Sequence, residues 1–168
     1  MAGGIGVLRT DTLYGVVAKA SDEIAVKRVY DLKERAEHKS PIVLISSQTQ
    51  IVDTVSPTLK TKLNEAWPGP VSVIIPSSQA PLWIRRGNES VAYRLPNNEG
   101  LRQLIEQTGP LIAPSANPEG LAPAMNIEEA ESYFGDNVDF YVDGGIVTEA
   151  LPSQLLKITN NGEVTRLR

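Results

Sequence analysis

The stretch Pro110–Gly120, PLIAPSANPEG, sets the class of the fold. Leu111, Ile112 and Ala113 form an apolar run that ends in Pro-Ser-Ala-Asn-Pro. Strand-forming residues that stop at prolines, a Ser and an Asn describe a buried strand giving way to a loop. In open α/β sheets a ligand binds just beyond such strand ends. Ser115 offers a hydroxyl there and Asn117 a carboxamide. A tight turn explains the same residues, because Ser, Asn and Pro are the usual turn formers. The stretch by itself leaves both readings open.

Working outward, a helix over about Glu99–Thr108 leads into this strand, and SVAYRL at Ser90–Leu95 reads as another strand, ended by Pro96. Val71–Ile75 is a strand, preceded by a helix with Ser56 as cap and Pro57 at its first position. Leu59, Leu63 and Ala66 share one face of that helix, and Trp67–Pro70 (WPGP) stops it. Towards the N-terminus lie the strands Ile5–Arg9, Gly15–Ala20 (GVVAKA) and Pro41–Ser46 (PIVLIS). A helix capped by Ser21 and running to about Glu34 is expected to bury Ile24, Ala25, Val29 and Leu32. On the other side, Asn126 with Glu129 opens a helix ending at Gly135. Asn161-Gly162 joins strands Ser153–Thr159 and Glu163–Leu167 as a hairpin. Strands and helices interleave, so the class is α/β, with one twisted open mixed sheet flanked by helices in a single domain over residues 1–168.

The 168 residues can bury a substantial core, and 41% hydrophobic with 21% charged residues fits a globular chain. There is no cysteine, which excludes disulfides, thiolate metal sites and a cysteine nucleophile. One histidine, His38, cannot build a His-based metal cluster and reads as a surface residue, so no metal ligands are assigned. No apolar run reaches the roughly 20 residues that span a bilayer, and no signal peptide is evident, so a cytoplasmic location is expected. The net charge of −4 argues against general coating of nucleic acid, while leaving room for a local basic cleft.

Three segments carry candidate chemistry. Thr10-Asp11-Thr12 lies between two strands, where hydroxyls could hold a ligand; a turn in which Asp11 bonds to the backbone is the plainer account. Lys33, Arg35 and Lys39 gather three cations at a helix end, suited to a polyanion or simply to the helix dipole. Arg94 sits in a strand of Val91, Ala92, Tyr93 and Leu95, where a cation needs an anion. No carboxylate is near in sequence until Glu99, so a bound carboxylate or phosphate is the expected partner, with a solvated edge strand as the alternative. Arg85 and Arg86 read as solvated. GGIG at the start is no dinucleotide fingerprint, lacking a preceding strand.

Together these segments resemble the YrdC-type threonylcarbamoyl-adenylate synthase family over nearly the whole chain. TDTLYG at Thr10–Gly15 is similar to the family's P-T-[DE]-T-x-Y-G-[LV], and KERAEHKSP at Lys33–Pro41 to K-x-R-P-x-x-[KN]-P. WPGPVSVII at Trp67–Ile75, SVAYRLP at Ser90–Pro96 and APSANPEG at Ala113–Gly120 resemble three further signatures, and PSQLLKI at Pro152–Ile158 a late strand opened by Pro-Ser. Arg9, Ala36, Ser40, Pro118-Glu119, Pro123-Ala124 and Asn126 depart from the family pattern. So do the missing helix before the first strand and the missing second domain of long members.

The resemblance implies that L-threonine, bicarbonate or CO2, and ATP give threonylcarbamoyl-AMP and pyrophosphate, with magnesium accompanying ATP as Mg2+. It implies threonine contacts from Thr10, Thr12, Arg94, Ala113 and Ser153. It implies ATP contacts from Lys33, Arg35, Lys39, Ser90, Ser115, Asn117 and a C-terminal arginine, Arg166 or else Arg168. No side chain need be a nucleophile. The product would pass to a threonylcarbamoyl-transferase complex that modifies transfer RNA. The alternatives are a domain of the same fold that binds double-stranded RNA or tRNA, and a catalytically degenerate paralogue.

Overall fold

The computed structural model describes residues 3–149 and 151–168. Leu111–Ile112 form β6, a strand of only two residues, lying between β2 (Tyr14–Lys19) and β3 (Ile42–Leu44) and antiparallel to both. Around it are β1 (Ile5–Arg9), β4 (Val71–Pro76), β5 (Ser90–Arg94), β7 (Phe140–Val142), β8 (Gln154–Ile158) and β9 (Val164–Arg166). The order across the nine-stranded sheet is β7-β1-β2-β6-β3-β5-β4-β8-β9. The pairs β1–β7, β3–β5 and β4–β8 are parallel and the other five antiparallel, which is the expected mixed α/β sheet. Thr159–Gly162 closes the β8–β9 hairpin, with Gly162 in the left-handed region at φ 84° that the turn needs.

Among the described residues five α-helices flank the sheet: α1 (Glu23–Lys33), α2 (Pro57–Ala66), α3 (Leu82–Arg85), α4 (Glu99–Thr108) and α5 (Ile127–Phe134). Asn98 caps α4 through its side chain, and Leu101 and Ile105, one turn apart, face the sheet. There they meet Leu8, Val17, Leu44 and Leu111 in a small core on one side. The larger core fills the other side, where α1, α2, α3 and α5 contribute. Asn126 caps α5, whose Glu129 carboxylate accepts from the Met125 amide at 2.8 Å.

Three local expectations change. Asp22, not Ser21, caps α1, accepting from the Ala25 amide at 3.0 Å. The buried stripe is Ala25, Val26, Val29, Tyr30 and Lys33, while Ile24 is 70% exposed and Leu32 only partly buried. Tyr30 and Lys33 can be buried because their polar tips find backbone carbonyls. Arg85 and Arg86 are not simply solvated: Arg85 donates to the Ala80 carbonyl, and Arg86 stacks 3.8 Å from the Tyr30 ring centre and donates to Glu37. His38 is exposed as expected. No helix among the described residues is long and apolar enough to cross a membrane.

Candidate active site

A cavity of about 390 Å³ opens beyond the end of β6. Its walls come from the β1–β2 turn (Thr10, Thr12–Gly15), Arg35 after α1, Ile42, Arg94 at the end of β5, Ala113–Ser115, Pro123, Pro152-Ser153, and Arg168. The strand-end position expected of the Ser-Ala-Asn segment is therefore met. Three guanidinium groups and hydroxyls of Thr10, Thr12, Ser115 and Ser153 converge there, a donor set that suits carboxylate and phosphate oxygens.

The β1–β2 turn is built by Thr10. Its amide and hydroxyl both donate to the Leu13 carbonyl, at 2.9 and 2.7 Å, and its oxygen lies 3.2 Å from that of Thr12. Asp11 does not bond into this turn. Its carboxylate meets Arg94, with Oδ1 3.0 Å from Nη2, and the two side chains are only 5% and 4% exposed. This corrects the expectation that Arg94 lacks a protein anion: the partner comes from the turn 83 residues earlier, a distance no strand alternation reports. Burial raises the Asp11 pKa against the pull of Arg94, and burial lowers that of Arg94 against the pull of Asp11. The pair is close yet poorly aligned, for neither Asp11 oxygen nor Arg94 Nε has a hydrogen-bond partner.

The Ser-Ala-Asn loop continues the edge of β2. Val16 donates to the Pro114 carbonyl at 2.9 Å, Ala116 to that of Tyr14 at 2.8 Å, and Gly15 bridges Ser115. A side chain on Gly15 would stand 3.3 Å from the Pro114 oxygen, so glycine permits the approach. Ser115 donates to Asn117 Oδ1 at 2.6 Å, and Asn117 Nδ2 to the Pro118 and Leu121 carbonyls, both at 2.9 Å. The Asn117 carboxamide thus shapes the loop and does not line the cavity.

Lys33, 3% exposed, lies beneath that loop, its ammonium donating to the carbonyls of Ser115 and Asn117. Burial first, then Arg35, lowers its pKa to about 8, with Glu119 opposing. Lys39 pairs with Glu119, which also accepts from the Ala36 amide at 3.0 Å. Of the three expected phosphate cations, only Arg35 lines the cavity. Ser90 stands at the other end of β5 from Arg94, about 13 Å away at strand spacing. Arg166 is exposed on β9, and the terminal arginine at the cavity is Arg168, whose Nε donates to the Ser153 carbonyl at 3.1 Å. Thr10, Thr12, Arg94, Ala113 and Ser153, the residues expected around threonine, are all brought together.

Sequence reasoning overlooked three supporting residues. Ser72 is fully buried in β4 with its oxygen 2.8 Å from that of Ser153; a lone Ser among Val and Ile was the available signal. Tyr14 lines the cavity, its hydroxyl donating to the Gly145 carbonyl at 2.8 Å and accepting from the Gly144 amide at 2.9 Å. Asp11 is the third. No group of three or more metal-ligating side chains occurs among the described residues, and neither Asp nor Glu is among those that line the cavity.

A family model described as "Telomere recombination" (Sua5, YciO, YrdC) matches residues 1–168. The chain belongs to the Sua5/YciO/YrdC family. A threonylcarbamoyl-AMP synthase of Marinobacter nauticus is 32% identical over 164 residues, covering 94% of this chain and 86% of that protein. One from Stutzerimonas stutzeri is 32% identical over 169 residues, covering 98% and 91%. Among solved structures, Pyrococcus abyssi Sua5 complexed with L-threonine superposes with a TM-score of 0.88 at 30% identity, over 99% of this chain and 50% of that one. This family member therefore spans about half the length of the archaeal protein.

Proposed function

We propose that this chain is an L-threonylcarbamoyladenylate synthase, a nucleotidyltransferase making threonylcarbamoyl-AMP, pyrophosphate and water from L-threonine, bicarbonate and ATP. The observation that carries the reading is the likeness, over 99% of this chain and 50% of the other at 30% identity, to a Sua5 described with L-threonine. The cavity chemistry supports it. The threonine amine must lose a proton and attack the carbon of CO2 or bicarbonate; a carbamate oxygen then attacks the α-phosphorus as pyrophosphate leaves in line. Such steps need proximity and charge neutralisation more than a protein nucleophile.

In this reading Arg94 takes the threonine carboxylate, with Thr10, Thr12, Ser153 and the Ala113 backbone around it. Arg35, Arg168 and the Ser115 hydroxyl face ATP, while Lys33 and Asn117 act by shaping the loop that presents Ser115. Lys39, Ser90 and Arg166 have weaker claims, being paired, distant or exposed. Magnesium enters with ATP as part of the substrate, held by phosphate oxygens. The product serves tRNA modification in the cytoplasm through a carbamoyl-transferring partner. The RNA-binding alternative draws on the Lys33–Lys39 cations, of which Lys33 is buried against loop carbonyls and Lys39 is paired at the surface with Glu119.

The test is pyrophosphate release from ATP with bicarbonate and magnesium, with and without L-threonine. Threonine-dependent release is expected; folded protein that gives none overturns the proposal.

A further inference from the structure

Arg94 reaches the cavity with most of its donors unused. The one hydrogen bond it makes among the described residues runs from Nη2 to the Thr10 oxygen, at a long 3.4 Å, and Nε has no partner. What holds the guanidinium is the Asp11 carboxylate, 3.0 Å away, which does not itself line the cavity. We infer that Asp11 is a positioning residue and ligand-sorting counter-ion for Arg94, turning its free donors toward a single carboxylate and denying that end of the cavity to polyphosphate. The inference rests on the proposed function for the identity of that carboxylate.

The argument is one of local charge. A buried guanidinium without a counter-ion would attract the most highly charged anion available, and ATP carries several charges where an amino acid has one carboxylate. With Asp11 beside it, Arg94 belongs to a neutral pair, and an arriving carboxylate gains directional hydrogen bonds more than net attraction. Arg35 and Arg168 have no such carboxylate partner among the described residues, which leaves them for phosphate.

The test is calorimetric titration of the full chain with L-threonine, L-threoninamide and ATP, each alone. Asp11→Asn should weaken threonine by about tenfold or more, as for a lost charge-assisted contact, with threoninamide unchanged and ATP equal or tighter. Asp11→Glu keeps the charge but lengthens the arm, and should give a loss of about threefold to tenfold confined to threonine, a readout that remains if the Asn variant misfolds. Equal weakening of all three ligands, or a Glu variant that binds threonine as wild type does, overturns the inference. Wild-type protein that binds no threonine overturns the proposed function and takes this inference with it.

Discussion

Replacing Lys33 by Met should change how stability depends on pH. The Lys33 ammonium is buried beneath the Ser-Ala-Asn loop, and its pKa falls from the ordinary 10.5 to about 8. Between those values the unfolded chain holds a proton that the folded protein has released, so the contribution of Lys33 to stability rises with pH. The burial penalty is about 3 kcal/mol at pH 7 and about 1 kcal/mol at pH 10, a gain of roughly 2 kcal/mol that wild type has and Lys33→Met lacks. The two lost carbonyl contacts add a nearly pH-independent offset, and tyrosine ionisation is common to both proteins and cancels. Urea unfolding of both proteins at pH 7 and pH 10 reads the difference directly. A wild-type-minus-variant difference that stays flat, or shrinks as pH rises, would refute the reasoning that the charged amine is buried at a penalty.

Three further outcomes are expected. Arg94→Ala leaves Asp11 as a buried uncompensated carboxylate and should lose about 3–5 kcal/mol of stability at pH 7, checked by chemical denaturation, with part of the loss recovered at acid pH as Asp11 protonates. Ser72→Ala frees the Ser153 hydroxyl and should lose about 1 kcal/mol of stability while raising the KM for threonine more than that for ATP; equal shifts in both would contradict a role through Ser153. Gly15→Ala pushes a methyl against the Pro114 carbonyl and should lower activity by displacing Ser115, seen as a reduced kcat in a protein whose melting temperature falls by only a few degrees.

Much of the fold was legible because its elements carry strong local punctuation. Asn98 and Gly109 bracket α4, Ser56-Pro57 opens α2, and Asn161-Gly162 turns the last hairpin. β7 was missed because Phe140–Val142 is three residues long and mostly exposed, so neither length nor alternation marks it. The buried face of α1 was misjudged where polarity hides burial: Tyr30 and Lys33 enter the core side because distant carbonyls receive their tips. At the site, motif spacing picked out segments that the fold gathers around one cavity, but could not say which of their groups line it. Lys33, Lys39 and Asn117 turn to the loop instead, and Asp11 turns to Arg94, through contacts spanning dozens of residues.

The Tyr14 hydroxyl ties the second strand to Gly144 and Gly145, more than 125 residues later, and Ser153 follows on that same segment. During synthesis the emerging polypeptide can pair β1 with β2 early, yet the pocket has no far wall until the region beyond Ser153 has left the ribosome. Loops of that span close late. A truncated nascent product therefore carries the cavity-lining hydroxyls of Thr10 and Thr12 without the seryl wall opposite. The cavity is thus closed by residues that emerge more than 125 positions after the turn that opens it.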